Sequence, residues 1–492
     1  RRIIWLIGPW LHELNEEVRP QLYTSLVALL FDSRLCSEQE KAVVLTLQST
    51  LHGLVDNWSF APAAFASVTG DAVNGLYRVC FILSNFESRL QILSLIHLIL
   101  ERVGSAGILP HVESIMQPLP QIWESTADQN LLRKSVLNIT TLVVSSLGSQ
   151  ASHLFGFVLP MLSLATDPTR PDTEYLLEDG LELWLSVMQQ TPSYTEPLHN
   201  LFPHVQRMLE RDMEFVKQAM ALTEAYIAMG GAQFLETHVQ AVVQAFSLTV
   251  GEVKPKAVVF VTQAIETLLR RFPADGAAML REGGILGKLL EPCLSTEASA
   301  ANGMTLHLAV LARVMFTAPE QMQAFLSAPP ISDGSADQVL GRVLQLVDLW
   351  LGNFDTLGAI SSAGSWHRKL VTLALVSLMP ASPGMFSRLD QVLDKCIDVL
   401  SEIETSGGDA AFTLLGSPVR AKAPGVPDAP DFYTQCQRGM VQSDPVLTTN
   451  LRGFLEQKMA EAEAAVGSEN FQQAMAAVDP ALLAQLQQRR GP

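Results

Sequence analysis

The sequence predicts an all-α chain built from stacked antiparallel helix pairs, and three observations carry that reading. The composition is 48% hydrophobic and only 17% charged, with 7% aromatic residues, and it is rich in Leu, Ala, Val and Gln, which favours helix over strand and excludes a largely disordered chain. Apolar residues recur at helical spacing through most of the length. Helix pairs recur as well: the second helix of each pair begins near residues 37, 86, 128, 172, 213, 255 and 297, a period of about 40–47 residues. That interval belongs to HEAT and armadillo repeats, whereas ankyrin and tetratricopeptide units are shorter, at about 33–34 residues. The predicted architecture is therefore a HEAT-repeat (armadillo-like) α-solenoid superhelix. At 492 residues, one compact core is not expected and an elongated repeat array is.

In order, residues 1–14 wind into a helix with Ile3, Ile4, Ile7, Trp10, Leu11 and Leu14 on one side. Arg1, Arg2, Trp5 and Glu13 take the other side, and Pro9 is placed to kink it. Trp10 and Trp184 fall on apolar faces and are expected in the core. A helix follows from Pro20, where proline suits the first turn, to Phe31. Ser37 and Glu40 form a capping box for a helix running to about Val55. The pairs then repeat: 63–83 with 87–103, 108–123 with 128–147, 152–164 with 173–189, 196–209 with 213–229, 232–250 with 256–271, and 274–293 with 297–316. Pro110, Pro160 and Pro203 sit in first helices, as bent helices of this repeat class would have them. After Phe316 the pattern loosens at Pro329-Pro330 and residues 332–335, and helices at 337–351, 366–378 and 385–404 extend the stack. Residues 406–431, punctuated by Gly407, Gly408, Pro418, Pro424, Pro427 and Pro430 among others, read as a mobile loop. Helices at 445–466, 469–478 and 481–489 would close the exposed end of the array. As domains this gives an array of about nine antiparallel pairs over 1–404, a flexible loop over 405–442 and capping helices over 443–492.

Chemistry leaves little trace. The five cysteines at 36, 80, 293, 396 and 436 are scattered and odd in number, which fits free thiols in a reducing compartment. There is no CxxC, HExxH or GxSxG, and His199 and His204 are five apart, on different sides of a helix. Residues 282–289 (EGGILGKL) resemble a phosphate loop only loosely. The leading glycine is misplaced and Leu289 stands where a magnesium-binding Ser or Thr belongs, so the stretch reads as a helix break and restart. No catalytic residue, metal or cofactor is expected. The apolar run 90–100 is too short and too interrupted to span a membrane and reads as a core helix. No signal peptide is recognised, and the chain opens on Arg1-Arg2 in mid-helix pattern, as a fragment lacking an N-terminal part would.

Binding is better marked. The formal net charge is −17, which disfavours nucleic acid and favours a basic partner, though acidity also simply keeps an apolar-rich chain soluble. In residues 175–185 (YLLEDGLELWL), Glu174, Glu178 and Glu182 fall in one row with Tyr175 and Asp179 beside them, opposite a wide face of Leu176, Leu177, Leu181, Leu183, Trp184, Val187 and Met188. The acidic row can be a solvated helix face or a site for Lys- and Arg-rich segments. Trp5 can be an exposed anchor or pack under the next pair.

Two of these stretches carry a family resemblance. RRIIWLIGPWL at residues 1–11 and YLLEDGLELWL at 175–185 resemble segments of importin-eleven-type karyopherins, a branch of the importin-β family. Asp444-Pro445-Val446, read as the start of the last long helix, and Val478-Asp479-Pro480 ahead of LLAQLQ match in the same order. The resemblance spans essentially the whole chain except residues 406–431. It implies a nuclear transport receptor that shuttles between nucleus and cytoplasm as a monomer. Such a receptor carries protein cargo on its concave face, contacts FG-repeat nucleoporins, and is regulated by Ran–GTP, whose principal binding repeats lie N-terminal to this chain. It places Glu174, Tyr175, Glu178, Asp179 and Glu182, with Trp5, as cargo-facing candidates for basic protein cargo, with no nucleic acid and no membrane insertion. An exportin or bidirectional carrier, or a static HEAT scaffold, remains an alternative at this stage.

Overall fold

The computed structural model describes residues 1–7, 10, 17–171, 173–191, 195–295, 301–329, 331, 334–357, 364–380, 383–408 and 431–488. Among the described residues every regular element is a helix. The chain divides into two compact units, residues 1–204 with 421–433, and residues 205–420 with 434–492.

The first unit contains α1 (Arg2–Ile7), α2 (Arg19–Leu29), α3 (Lys41–Val55), α4 (Thr69–Ile82), α5 (Phe86–Ile108), α6 (Asn130–Leu147), α7 (Phe155–Thr166) and α8 (Thr173–Gln190). The second helices α3, α5, α6 and α8 lie side by side in one layer. The repeat period is visible in their side-chain bonds. Gln48 donates to the Gln91 carbonyl across 43 positions, and Ser105–Ser146 and Ser145–Ser186 pair across 41 each. Ile92, Leu95, Ile96, Ile99, Val136, Ile139, Val143, Leu181, Trp184 and Val187 form the fully buried spine between the layers. By length and composition alone, residues 86–116 and 130–166 could cross a membrane; here their apolar faces are packed against one another. Pro20 sits in the first turn of α2 and Pro160 inside α7, as the sequence indicates.

The second unit contains α9 (Val216–Thr249), α10 (Val258–Arg271), α11 (Pro273–Glu282), α12 (Ile285–Leu294), α13 (Ala301–Thr317), α14 (Ala336–Gly352), α15 (Gly364–Ser377), α16 (Leu389–Thr405), α17 (Phe432–Ser443), α18 (Leu451–Val466), α19 (Ser468–Ala476) and α20 (Pro480–Gln488). Helix α9 is broken at Gly231, whose φ of 59° only glycine adopts cheaply, so it serves two successive repeats. Its first half, α10, α13, α15 and α16 are successive neighbours. The same spacing returns here: Thr267 donates to Glu224 across 43 positions and the Trp350 indole to the Leu308 carbonyl across 42. Gly283 and Gly284 connect α11 to α12, with Gly284 at φ 72°, so the phosphate-loop resemblance is the helix break and restart that the spacing indicated.

Several local expectations need correction. Helix α1 is only six residues long and buries Ile4 alone, through a neighbour on one side where Thr50 donates to the Ile4 carbonyl. Ile3 is 79% and Trp10 59% exposed, so Trp10 is not core; Pro9 and residues 11–16 lie outside the described residues. Ser37 does accept the Glu40 amide at 3.3 Å, but the turn it closes precedes the helix, which starts at Lys41. The helix expected over 445–466 is two. Asp444 caps a one-turn helix, Pro445–Thr448, and Asn450 caps α18 separately, because both side chains compete successfully for the free amides. Helix α17 occupies residues 432–443, inside the span read as loop, while residues 409–430 lie outside the described residues. A side chain every three to four positions, Gln437, Met440, Val441 and Asp444, is buried there, and that polar-apolar mix hides the helix from a composition reading.

A candidate acidic binding face on helix α8

Helix α8 is positioned by its broad apolar side. Leu176, Leu181, Leu183, Trp184 and Val187 are fully buried. Gly180 lets α7 approach so closely that an added Cβ would lie 3.1 Å from the Ala165 Cβ and the Thr166 Cγ2. With that side fixed, the helical repeat turns Glu174, Tyr175, Glu178 and Glu182 outward. All four are exposed, Tyr175 at 61%. Carboxylates four residues apart stand about 6 Å apart along the axis. The row raises the cost of ionising its own members asymmetrically. Partial burial first, then the Asp179 and Glu178 charges, push the Glu182 carboxyl above its usual value.

Asp179 departs from the expected wet row. Only 9% of it is exposed, and its Oδ2 lies 3.2 Å from the Lys134 Nζ of α6. One position further round the helix, it faces the neighbouring repeat, and Lys134 supplies the countercharge that makes burial tolerable. Trp5 is 61% exposed on α1 and is not packed under the next pair. The structure thus brings Glu174, Tyr175, Glu178 and Glu182 together on one helix face and leaves Asp179 as a repeat-to-repeat tie.

Among the described residues no group of His, Cys, Asp and Glu could hold a metal ion. Cys36, Cys80, Cys293 and Cys396 are buried free thiols, and burial pushes Cys293 and Cys396 up to about 12. What α8 offers is a rigid, negatively charged surface, suited to reversible electrostatic contact.

These features define a class: an all-helical repeat protein with open, solvent-facing helix surfaces. Residues 134–491 match the family described as importin-11-like, TPR repeats, and the chain belongs to that family. Its repeat spacing, seen above in bonds across 41–43 positions, is nevertheless that of HEAT and armadillo units. The chain is 27% identical to importin-11 of Mus musculus, over 99% of its own length and 49% of that relative. It is 24% identical to the importin beta-like protein KAP120 of Saccharomyces cerevisiae, over 99% of its length and 50% of that relative. It therefore spans about half the length of the curated relatives it matches. Among solved structures, that of Lph2, described as a novel bidirectional nuclear transport receptor in S. cerevisiae, superposes with a TM-score of 0.83 at 21% identity, covering 100% of this chain and 52% of that one. This likeness supports the helical-repeat fold.

The buried polar network of the second unit was not found from the sequence. Arg270, Arg313 and Asp444 come from segments separated by up to 174 positions (444 − 270). One local signal existed: Arg313 stands in an otherwise apolar helix, LAVLARVMF, where an unpaired charge would be intolerable.

Proposed function

We propose that this chain is the cargo-holding part of an importin-type nuclear transport receptor, shuttling between cytoplasm and nucleus. In this reading basic protein segments dock on the Glu174, Glu178 and Glu182 row, with Tyr175 supplying apolar area. The mechanism is reversible binding without covalent chemistry. Ran–GTP controls release in the whole protein, and FG-repeat nucleoporins provide passage through the pore. The single observation that carries the site is the exposed row on α8, held outward by a fully buried opposite face; family membership carries the class. Reversing the row (E174K/E178K/E182K) should weaken a fluorescent Lys/Arg-rich peptide by about tenfold or more while the helical circular dichroism stays the same. An unchanged affinity would remove the row from the site.

The description of Lph2 as bidirectional supports a second reading, a carrier that also exports. Pull-downs on the whole protein with and without Ran–GTP separate the two: Ran–GTP releases an import cargo and strengthens an export cargo. Retention on FG-repeat resin argues against a static scaffold, and failure to be retained argues for one.

A further inference from the structure

In the second unit, the second-helix face has an occupant. From Cys436 to Leu447 the chain runs across four successive helices. The Cys436 thiol reaches the Ala228 carbonyl of α9 at 3.2 Å, and Gln437 donates to the Glu224 Oε1 at 3.0 Å, where Thr267 of α10 also donates. Asp444 then enters a pocket between α10 and α13. Its Oδ1 accepts from the Arg313 Nη1 at 3.1 Å and its Oδ2 lies 3.0 Å from the Arg270 Nε. The Val446 amide donates to the same carboxylate at 3.0 Å. Both guanidiniums lie over the Trp366 ring of α15, at 4.8 and 5.3 Å from its centroid. One step on, the buried Lys369 ammonium of α15 donates to the Leu447 carbonyl at 3.1 Å.

This arrangement has the form of a receptor and a ligand. The receptor groups are preplaced by their own helices: Arg270 lies 3.6 Å from Glu266, which also meets His367 at 3.4 Å. Arg313 has Nε and Nη2 without a hydrogen-bond acceptor among the described residues, so the pocket holds more donors than one carboxylate uses. The ligand is one layer thick. Gln437, Met440, Val441, Asp444, Val446 and Leu447 face down, whereas Gln435, Arg438, Gln442, Ser443, Pro445 and Thr448 are exposed. Burial alone would push the Asp444 carboxyl up, but Arg313 and Arg270 outweigh it and hold it below the usual carboxylate range.

We infer that the α9–α10–α13–α15 face is a peptide-binding site of its own, built to take an aspartate followed by Pro and two apolar residues, and that residues 436–448 occupy it in cis. A partner reaches that face only by displacing this segment. The inference is independent of the acidic row on α8 and survives its failure.

Hydrogen exchange on the full chain tests it. The amides of Val446, Leu447 and Thr448 should exchange as a group about tenfold or more faster than the core amides of α10 and α13 beneath them. Equal rates would make the segment ordinary core and overturn the inference. Asp444→Asn should raise exchange in 436–448 further. It should also let a fluorescent peptide copy of residues 434–450 bind about tenfold more tightly than to the unaltered chain. The same peptide with Asn for its aspartate should bind neither. Equal binding of the Asp peptide to both proteins, or no gain in the variant, overturns the inference. Should D444N lose its helicity, Leu447→Ala, which trims a buried apolar side chain of the segment and leaves every receptor group in place, is read in the same two assays with the same outcomes deciding.

Discussion

At the scale of single residues, helix α8 separates side chains that a sequence reading groups together. Glu178 and Asp179 are neighbours in the chain, yet one is exposed and the other is tied to Lys134. Asp179→Ala should therefore destabilise the chain by about 1 kcal/mol, and Glu178→Ala by less than about 0.5, in urea unfolding. Gly180 marks the closest approach of α7, so Gly180→Leu should cost about 1–3 kcal/mol by overpacking against Ala165 and Thr166. The raised Glu182 carboxyl gives the row a pH dependence with a definite sign. It takes up a proton at a higher pH than an ordinary glutamate does, so the row loses charge as pH falls and a Lys/Arg-rich peptide should bind more weakly at about pH 5 than at about pH 7. Fluorescence anisotropy across that range checks it, and a flat profile would exclude Glu182 from the contact. The exposed face was legible because a helix shows its periodicity within a few turns. The Lys134–Asp179 tie was not, because it depends on which repeat lies alongside.

At the scale of elements, the helices and their pairing were largely written in the chain, since a period of about 40–47 residues survives any local ambiguity. Boundaries failed where a side chain captured a backbone amide, as Asp444 and Asn450 do in splitting the expected 445–466 helix. They also failed where a helix buries a mixed face, as α17 does. Contacts across repeats carry measurable weight. The fully buried Trp350 indole donates to the Leu308 carbonyl of α13 at 2.9 Å, so Trp350→Phe should cost about 1–3 kcal/mol through the orphaned carbonyl and lost volume. The depressed Asp444 carboxyl works in the opposite direction from Glu182. Its contribution to stability is present above the unfolded-state value of about 3.9 and is lost as pH falls through the lower folded value. Segment 436–448 should thus stay protected at mildly acidic pH and loosen only in stronger acid, as hydrogen exchange at stepped pH would show.

At the scale of the whole molecule, a charge of −17 and an open acidic face make long-range attraction a major part of any basic partner's affinity. Affinity for such a partner should fall steeply between about 0.05 and 0.3 M salt, mainly through the association rate, and a salt-independent affinity would point to an apolar interface instead. The layer of second helices in the first unit is tied by polar bonds as well as by its apolar spine. Between α5 and α6 Ser105 donates to the Ser146 hydroxyl, which itself donates to the Leu142 carbonyl of its own helix at 2.7 Å. Between α6 and α8 a serine pair at 2.7 Å is joined by the Lys134–Asp179 ion pair. Sliding α8 along α6 would break the serine pair and also separate the Lys134 and Asp179 charges. The platform beneath the glutamates therefore resists shear through charge as well as through packing.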